Sequence, residues 1–300
     1  MPPRLDLAGR HGQALRMRSL FARRDTREAP RERAEPEDRG STLRFFLSLA
    51  LLAWILRSLI VAPFSIPSGS MLPTLQIGDY LLVAKWPYGY ARVSFPWGIP
   101  PIHGRVFGDL PERGDVVVFR HPSEQADLIK RVIGLPGDTV EVRAGAVLLN
   151  GKPLPRQPIG AVRNPVSPNS PCKHVGPGVT APREDEATAC LYPAFREQLP
   201  DGTSYITLDQ VSAGQADDFP AERVPPGHIF LMGDNRDDSL DSRFPPAEGG
   251  VGMLPVDKLI GRALVTFWST DGSASYFKPW TWFTALRAQR IGNTYSEPGR

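Results

Sequence analysis

The chain has 300 residues and a net charge of +3, with 35 Lys and Arg against 32 Asp and Glu; it holds 32 Pro and 28 Gly but only 2 Cys. That length buries a sizeable core without disulfide or metal staples, and the frequent turn formers lean the fold toward short strands. So modest a charge argues against a nucleic-acid partner.

Eleven arginines precede Phe45, interrupted throughout by acidic residues, and no aromatic pattern accompanies them. The stretch 1–42 therefore reads as a disordered tail that lacks the apolar surface to offset chain entropy. An apolar run follows from Phe45 to Ile66 and would reach roughly 33 Å as a helix, about one hydrocarbon thickness. We expect a transmembrane anchor at 43–64. Arg57 interrupts it at a cost of about 2.5–3.5 kcal/mol near mid-membrane, which the surrounding Leu, Ile and Phe offset. A cleavable leader fits less well, because the preceding segment is long and no A-x-A-like site follows directly. No Lys or Arg occurs between Ser58 and Tyr80, so the positive-inside tendency leaves the N-terminus in the cytoplasm and places the rest outside.

In the exported part, 65–285, strand-length β-branched or aromatic runs occur at 80–85, 115–120, 127–133, 139–143, 146–150, 204–208, 228–232 and 262–268. Asn150-Gly151 marks a hairpin turn, and no helix pattern of similar strength appears between Ile66 and Ala263. The proline-rich stretch at about 153–203 reads as an insertion in the β domain. It contains Cys172 and Cys190, which an oxidising compartment would allow to pair; spacing alone leaves that open. The residues 286–300 read as a C-terminal tail. His11, His103, His121, His174 and His228 are scattered and neither CxxC nor HExxH occurs, so no metal or other cofactor is expected.

Three segments carry chemistry. In Ile66-Pro-Ser-Gly-Ser-Met-Leu-Pro-Thr-Leu75, Pro67 and Pro73 restrict the chain while Gly69 allows close backbone approach, so Ser68 and Ser70 are presented at a fixed spot; a plain linker is the alternative. In Asp127-Leu-Ile-Lys-Arg-Val-Ile133, strand alternation puts Lys130 with Leu128 and Val132, and Arg131 with Ile129 and Ile133. One of these adjacent cations must sit among apolar neighbours. A lysine shifted from about 10.4 to about 8 is perturbed by roughly 3 kcal/mol and can act as a base near neutral pH. An edge-strand lysine snorkelling to water is the alternative. The third segment, Gly233-Asp-Asn-Arg-Asp-Asp-Ser-Leu-Asp-Ser-Arg243, suits tight turns, and it lacks the spacing and terminal Glu of a calcium loop.

The ordered blocks Pro67-Ser-Gly-Ser-Met71, Ile129-Lys-Arg-Val-Ile-Gly-Leu-Pro-Gly-Asp138 and Gly233 to Arg243 strongly resemble bacterial type I signal peptidases, as does Arg113-Gly-Asp-Val-Val-Val-Phe119. The resemblance implies a mainly β fold, a signal-peptidase-like β-barrel or β-sheet catalytic domain with one N-terminal transmembrane helix. It implies Ser70 as nucleophile, Lys130 as general base, and Ser68 with the Ser70 amide as oxyanion donors. Ser239 then orients the lysine, with Asp241 and Arg243 as a supporting pair. Ile66, Pro67, Met71, Leu75, Leu128 and Ile129 match shallow apolar pockets for small residues before the cut. The implied partners are signal peptides of exported precursors and the lipid bilayer, at the outer, periplasmic face of a bacterial inner membrane.

Two rival readings remain at this level. A histidine-based triad would use His121 or His228, but the chain lacks a G-x-S-x-G elbow. A non-catalytic membrane-anchored β module binding peptides or envelope partners is the other. The late aromatics Trp268, Tyr276, Phe277, Trp280, Trp282 and Phe283 suit either the membrane interface or core packing.

Overall fold

The computed structural model describes residues 39–173, 188–275 and 277–295. The expected disordered tail falls almost entirely outside these residues, as do Tyr276 and the charged run 183–186. Two compact units separate at Phe46 and Leu47, and everything from the latter part of the apolar helix onward belongs to the second.

Helix α1 covers Arg39–Ile55 and runs into one π-helical turn, Leu56–Ile60. Together Gly40–Ile60 is long and apolar enough to cross a membrane. The helix ends earlier than the expected anchor at 43–64: Val61 is already extended, and Val61–Ser65 is strand β1, paired antiparallel with Asp79–Ala84, strand β2. Proline explains the stop, since Pro63 disfavours helical geometry at Ala62 and is tolerated on an edge strand. Arg57 consequently lies within one turn of the C-terminal end of this helical stretch.

The principal sheet has seven strands in the order β1, β2, β16, β5, β6, β14, β15; β5 is Val116–Arg120, β6 Asp127–Gly134, β14 His228–Met232, β15 Leu254–Pro255 and β16 Leu259–Ser269. All its pairings are antiparallel. Period-two alternation sorts β5 between two cores: Val116 and Val118 pack with Met71, Leu75 and Ile129, while Val117 and Phe119 pack with Val132 and Leu231. A strand buried on both faces reads as a continuous apolar run, which Val116-Val-Val-Phe119 is. A second sheet joins β13 (Phe219–Arg223), β7 (Thr139–Arg143), β8 (Ala146–Leu149) and β9 (Lys152–Pro153).

Strands β10 (Arg156–Pro165) and β11 (Ala189–Gln198) of the proline-rich stretch form a three-stranded antiparallel sheet with β12 (Ser204–Leu208). Only β12 was expected; Pro158 and Pro165 obscure β10, which tolerates them as an edge strand. Cys172 and Cys190 form a disulfide, with Cα atoms 5.5 Å apart. They pack with Leu72, Tyr192 and Leu208 beneath the turn that carries Ser70.

The expected C-terminal tail is not one through residue 295. Arg287 and Arg290 reach buried Asp79, Thr294 bridges Val265, and the Tyr295 hydroxyl lies 2.6 Å from Thr266 Oγ1. Four of the late aromatics are exposed, Phe277, Trp280, Trp282 and Phe283, so core packing does not apply to them.

Candidate active site

Ser70 sits where β1 runs out. Ile66 still pairs with the β2 side through Ile66 N to Asp79 O and Gly78 N to Ile66 O, both 2.9 Å. The chain then coils: Leu72 N–H donates to Gly69 O at 3.1 Å and Leu75 N–H to Met71 O at 2.9 Å. This turn sends Met71 and Leu75 into the core and leaves Ser68 and Ser70 on the side of the cavities.

The loop from Gly233 to Arg243 is stitched to that turn. Asn235 N–H donates to Ser70 O at 3.0 Å, and Asn235 Nδ2 to Gly69 O at 3.1 Å. Only glycine fits at 233, because a Cβ there would lie 2.3 Å from Ser239 Oγ and 2.6 Å from Ser70 O.

Lys130 arrives from β6, flanked in the sheet by β5 and β14. It is 4% exposed, and its Nζ lies 2.5 Å from Ser70 Oγ. Burial lowers its pKa to about 8, against the opposing pull of Asp241 and Asp238. Neutral, this amine offers its lone pair to the serine hydroxyl. Arg131 is buried too, on the opposite face, and stays charged through Asp234, a pairing that the alternation argument did not anticipate. The adjacency of Arg131 to Lys130 and the acid density of the 233–243 loop were the signals available for it.

Asp241, fully buried, gathers the rest. Its Oδ2 accepts from Gly233 N–H at 2.9 Å, Ser239 Oγ at 2.8 Å and Arg243 Nη2 at 2.8 Å. Burial raises its pKa, but Arg243 and these hydrogen bonds prevail and hold it below the usual carboxylate range. Arg243 also donates to Ala216 O and Arg236 O, fixing the loop from behind.

Ser70 lies at the junction of three cavities. One of about 600 Å³ is lined by Ser68, Lys130, His121, Ser239 and Leu240. A crevice of about 40 Å³ lies among Ile66, Pro67, Leu128 and Ile129. A third, of about 290 Å³, runs past Ser170, Lys173 and Tyr192. Among the described residues the Ser70 amide N–H has no acceptor, and the exposed Ser68 hydroxyl lines all three spaces.

Two expected roles do not match this geometry. Met71 and Leu75 are completely buried and line none of these spaces, because the coil after Ser70 turns them inward beneath the crevice. Ser239 makes no hydrogen bond to Lys130; its hydroxyl is donated to Asp241 instead.

The two candidate histidines, His121 and His228, are engaged elsewhere. His121 lines the 600 Å³ cavity, but its Nε2 meets Gly250 O at 2.8 Å and its Nδ1 accepts from Ser123 and Glu124 amides. His228 Nδ1 lies 3.0 Å from Pro226 O. Asp209, Asp217 and Asp237 bring carboxylates within 4.8 Å of one another. Arg156 and the amides of Gly214, Gln210 and Val211 already occupy oxygens of that cluster.

A family model described as signal peptidase, peptidase S26, matches residues 39–268. The chain belongs to this family. Signal peptidase I of Rickettsia typhi is 32% identical over 266 residues, covering 82% of this chain and 90% of that protein. Signal peptidase I of Rickettsia felis is 31% identical over 275 residues, covering 84% and 91%. A solved signal peptidase I from Enterococcus faecalis V583 aligns at 22% identity with a TM-score of 0.25, over 51% of this chain and 97% of that one. The family match spans the apolar helix, the Ser70 turn, β6 and the 233–243 loop, so every group at the cavity junction lies inside it.

Proposed function

We propose that this chain is a membrane-anchored serine endopeptidase that removes signal peptides from exported precursors, with Ser70 as nucleophile and neutral Lys130 as its base. The observation that carries the reading is the 2.5 Å approach of Lys130 Nζ to Ser70 Oγ, made by a lysine whose pKa burial has lowered to about 8. A serine hydroxyl needs an adjacent base to become a competent nucleophile. As Oγ attacks the scissile carbonyl, its proton passes to Lys130 and then to the departing amine, leaving an acyl-serine. Lys130 next takes a proton from water, whose oxygen attacks the ester; the acyl carbon–Oγ bond breaks, the proton passes from Lys130 back to Ser70 Oγ, and the signal segment leaves as a carboxylate.

The Ser68 hydroxyl and the Ser70 amide N–H act as donors to the oxyanion, each worth about 2.7–4 kcal/mol in a comparable site. Asp241 and Arg243 hold the 233–243 loop against the Ser70 turn, and Ser239 acts through Asp241. The crevice of about 40 Å³ beside Ser70 is the smallest of the three spaces and suits a small side chain. That restricts the residue before the cut to small ones. Ile66, Pro67, Leu128 and Ile129 shape it, with Met71 and Leu75 supporting it from the core.

The arginine-rich segment stays on the cytoplasmic side, Gly40–Ile60 crosses the bacterial inner membrane, and the catalytic sheet works at the periplasmic face. Precursor cleavage in reconstituted vesicles tests the mechanism. Ser70→Ala and Lys130→Ala both abolish processing, whereas His121→Ala retains it; near-normal turnover by Lys130→Ala overturns the reading.

A further inference from the structure

The connection between β2 and β5 carries large apolar side chains that the described protein leaves uncovered: Trp97 is 85% exposed, Phe107 90% and Ile99 61%. Both aromatics sit at positive φ, 57° and 54°, a region bulky residues occupy only when the surrounding chain forces it. Strand β3 (Tyr90–Ala91) pairs there with β4 (Arg105–Val106). Gly89 and Gly108 clamp the base of this ribbon, since a Cβ on Gly108 would lie 1.8 Å from Tyr88 O. Phe107, held between Val106 and Gly108, is turned out to solvent.

The same connection is fastened to the exit end of the apolar helix. The Phe95 ring stacks on Trp54 with centroids 6.5 Å apart, and Tyr90 Oη donates to Leu59 O at 2.8 Å. Trp54 lies inside Gly40–Ile60, six residues and roughly 9 Å before its end, so Phe95 reaches the depth of the span itself. Trp97 follows two residues later, within roughly 7 Å along the chain, and Phe107 adjoins Val106, the cross-strand partner of Tyr90. Arg92, exposed and without an ion partner among the described residues, runs its side chain along Gly98 beside Trp97.

We propose that this connection is a second bilayer contact, a ledge of Trp97, Ile99 and Phe107 seated in the headgroup region around the helix exit. The proposal rests on reading Gly40–Ile60 as a membrane span. Aromatic rings favour that interfacial depth, and Arg92 supplies a cation for lipid phosphate. A rigid ledge beside a single helix fixes how the sheet tilts over the membrane, and hence where Ser70 meets an emerging precursor. It is separate from the exposed aromatics of the 277–283 segment.

The test uses the full chain with its disulfide intact and an NBD probe on Trp97→Cys, Phe107→Cys, Leu52→Cys or Lys152→Cys. Each protein is placed in phosphatidylethanolamine and phosphatidylglycerol vesicles containing doxyl-labelled lipid, and precursor cleavage checks folding. Probes at 97 and 107 are expected to be quenched as strongly as the span reporter at 52, with position 152 unquenched. Quenching at 52 without quenching at 97 and 107 overturns the ledge and leaves the anchor standing, and that surface then faces water or protein. Equal quenching at all four positions overturns it as a specific contact. No quenching at 52 overturns the anchor reading and the ledge together.

Discussion

Arg131 and Asp234 meet fork to carboxylate in the interior, with Nε 2.8 Å from Oδ1 and Nη2 2.6 Å from Oδ2. Their side chains are 7% and 1% exposed. Arg131 also donates to Gly114 O and lies over the Tyr205 ring, while Thr74 Oγ1 donates to Asp234. One ion pair thus joins β6, the coil that follows Ser70 and the 233–243 loop.

Breaking that pair from one side leaves an uncompensated buried charge, which is destabilising by about 3–5 kcal/mol. Asp234→Ala is therefore expected to lower the unfolding free energy of the detergent-solubilised chain by that order, read as a lower denaturation midpoint. The double exchange Arg131→Met with Asp234→Leu recovers most of the loss. An unchanged midpoint for the single variant contradicts the structural role.

The pH dependence of cleavage follows from Lys130. With a pKa near 8, the neutral base grows about tenfold per pH unit from pH 6 and levels off above 8. Asp241, held below the usual carboxylate range, stays ionised throughout and adds no limb in this window. The same lysine has a linked effect on stability: its folded pKa is depressed below 10.5, so the folded state binds fewer protons between about 8 and 10.5, and stability rises with pH there. A kcat/KM profile that falls from pH 6 to 9 is incompatible with a neutral-lysine mechanism.

Much of this was legible in the sequence because the signals were local. Alternation in 127–133 put Lys130 with Leu128 and Val132, and the β-branched run within 115–120 marked a strand. The anchor's end was less legible, since Val61 to Ile66 is as apolar as the helix and its pairing with Asp79–Ala84 depends on a distant segment. Strand β10 was hidden by prolines that an edge position tolerates. The inward turn of Met71 and Leu75, and the donation of Ser239 to Asp241, depend on where neighbouring loops close, which no motif spacing encodes.

Gly233 is the tightest point of the site. Alanine there would press on Ser239 and on the Ser70 carbonyl, which the Asn235 amide already holds at 3.0 Å. Moving that carbonyl moves Oγ relative to Nζ, and small misplacements of reacting groups are expensive in rate. Gly233→Ala is expected to lower kcat about a hundredfold with little change in KM. A KM-only effect would assign the residue to substrate binding instead.

The C-terminal segment supports the coil that follows Ser70. Asp79, at the start of β2, is completely buried and accepts from Arg290, from Ser269 Oγ at 2.7 Å and from the Gln76 amide at 2.9 Å. Arg290 adds a bond to Thr74 O at 2.9 Å, four residues beyond Ser70. Removing that guanidinium leaves Arg287, 3.6 Å from Asp79 Oδ1, as its remaining cation and frees the Thr74 carbonyl. Arg290→Ala is therefore expected to destabilise the chain by about 2–3 kcal/mol and to slow cleavage, since the coil carrying Ser70 loosens. Arg290→Lys recovers only part, because an ammonium lacks the planar fork that reaches Asp79 and Thr74 together. Limited trypsin digestion beside the activity assay distinguishes the outcomes. If Arg290→Ala matches the parent in both, residues 286–295 are a dispensable appendage and not a support of the site.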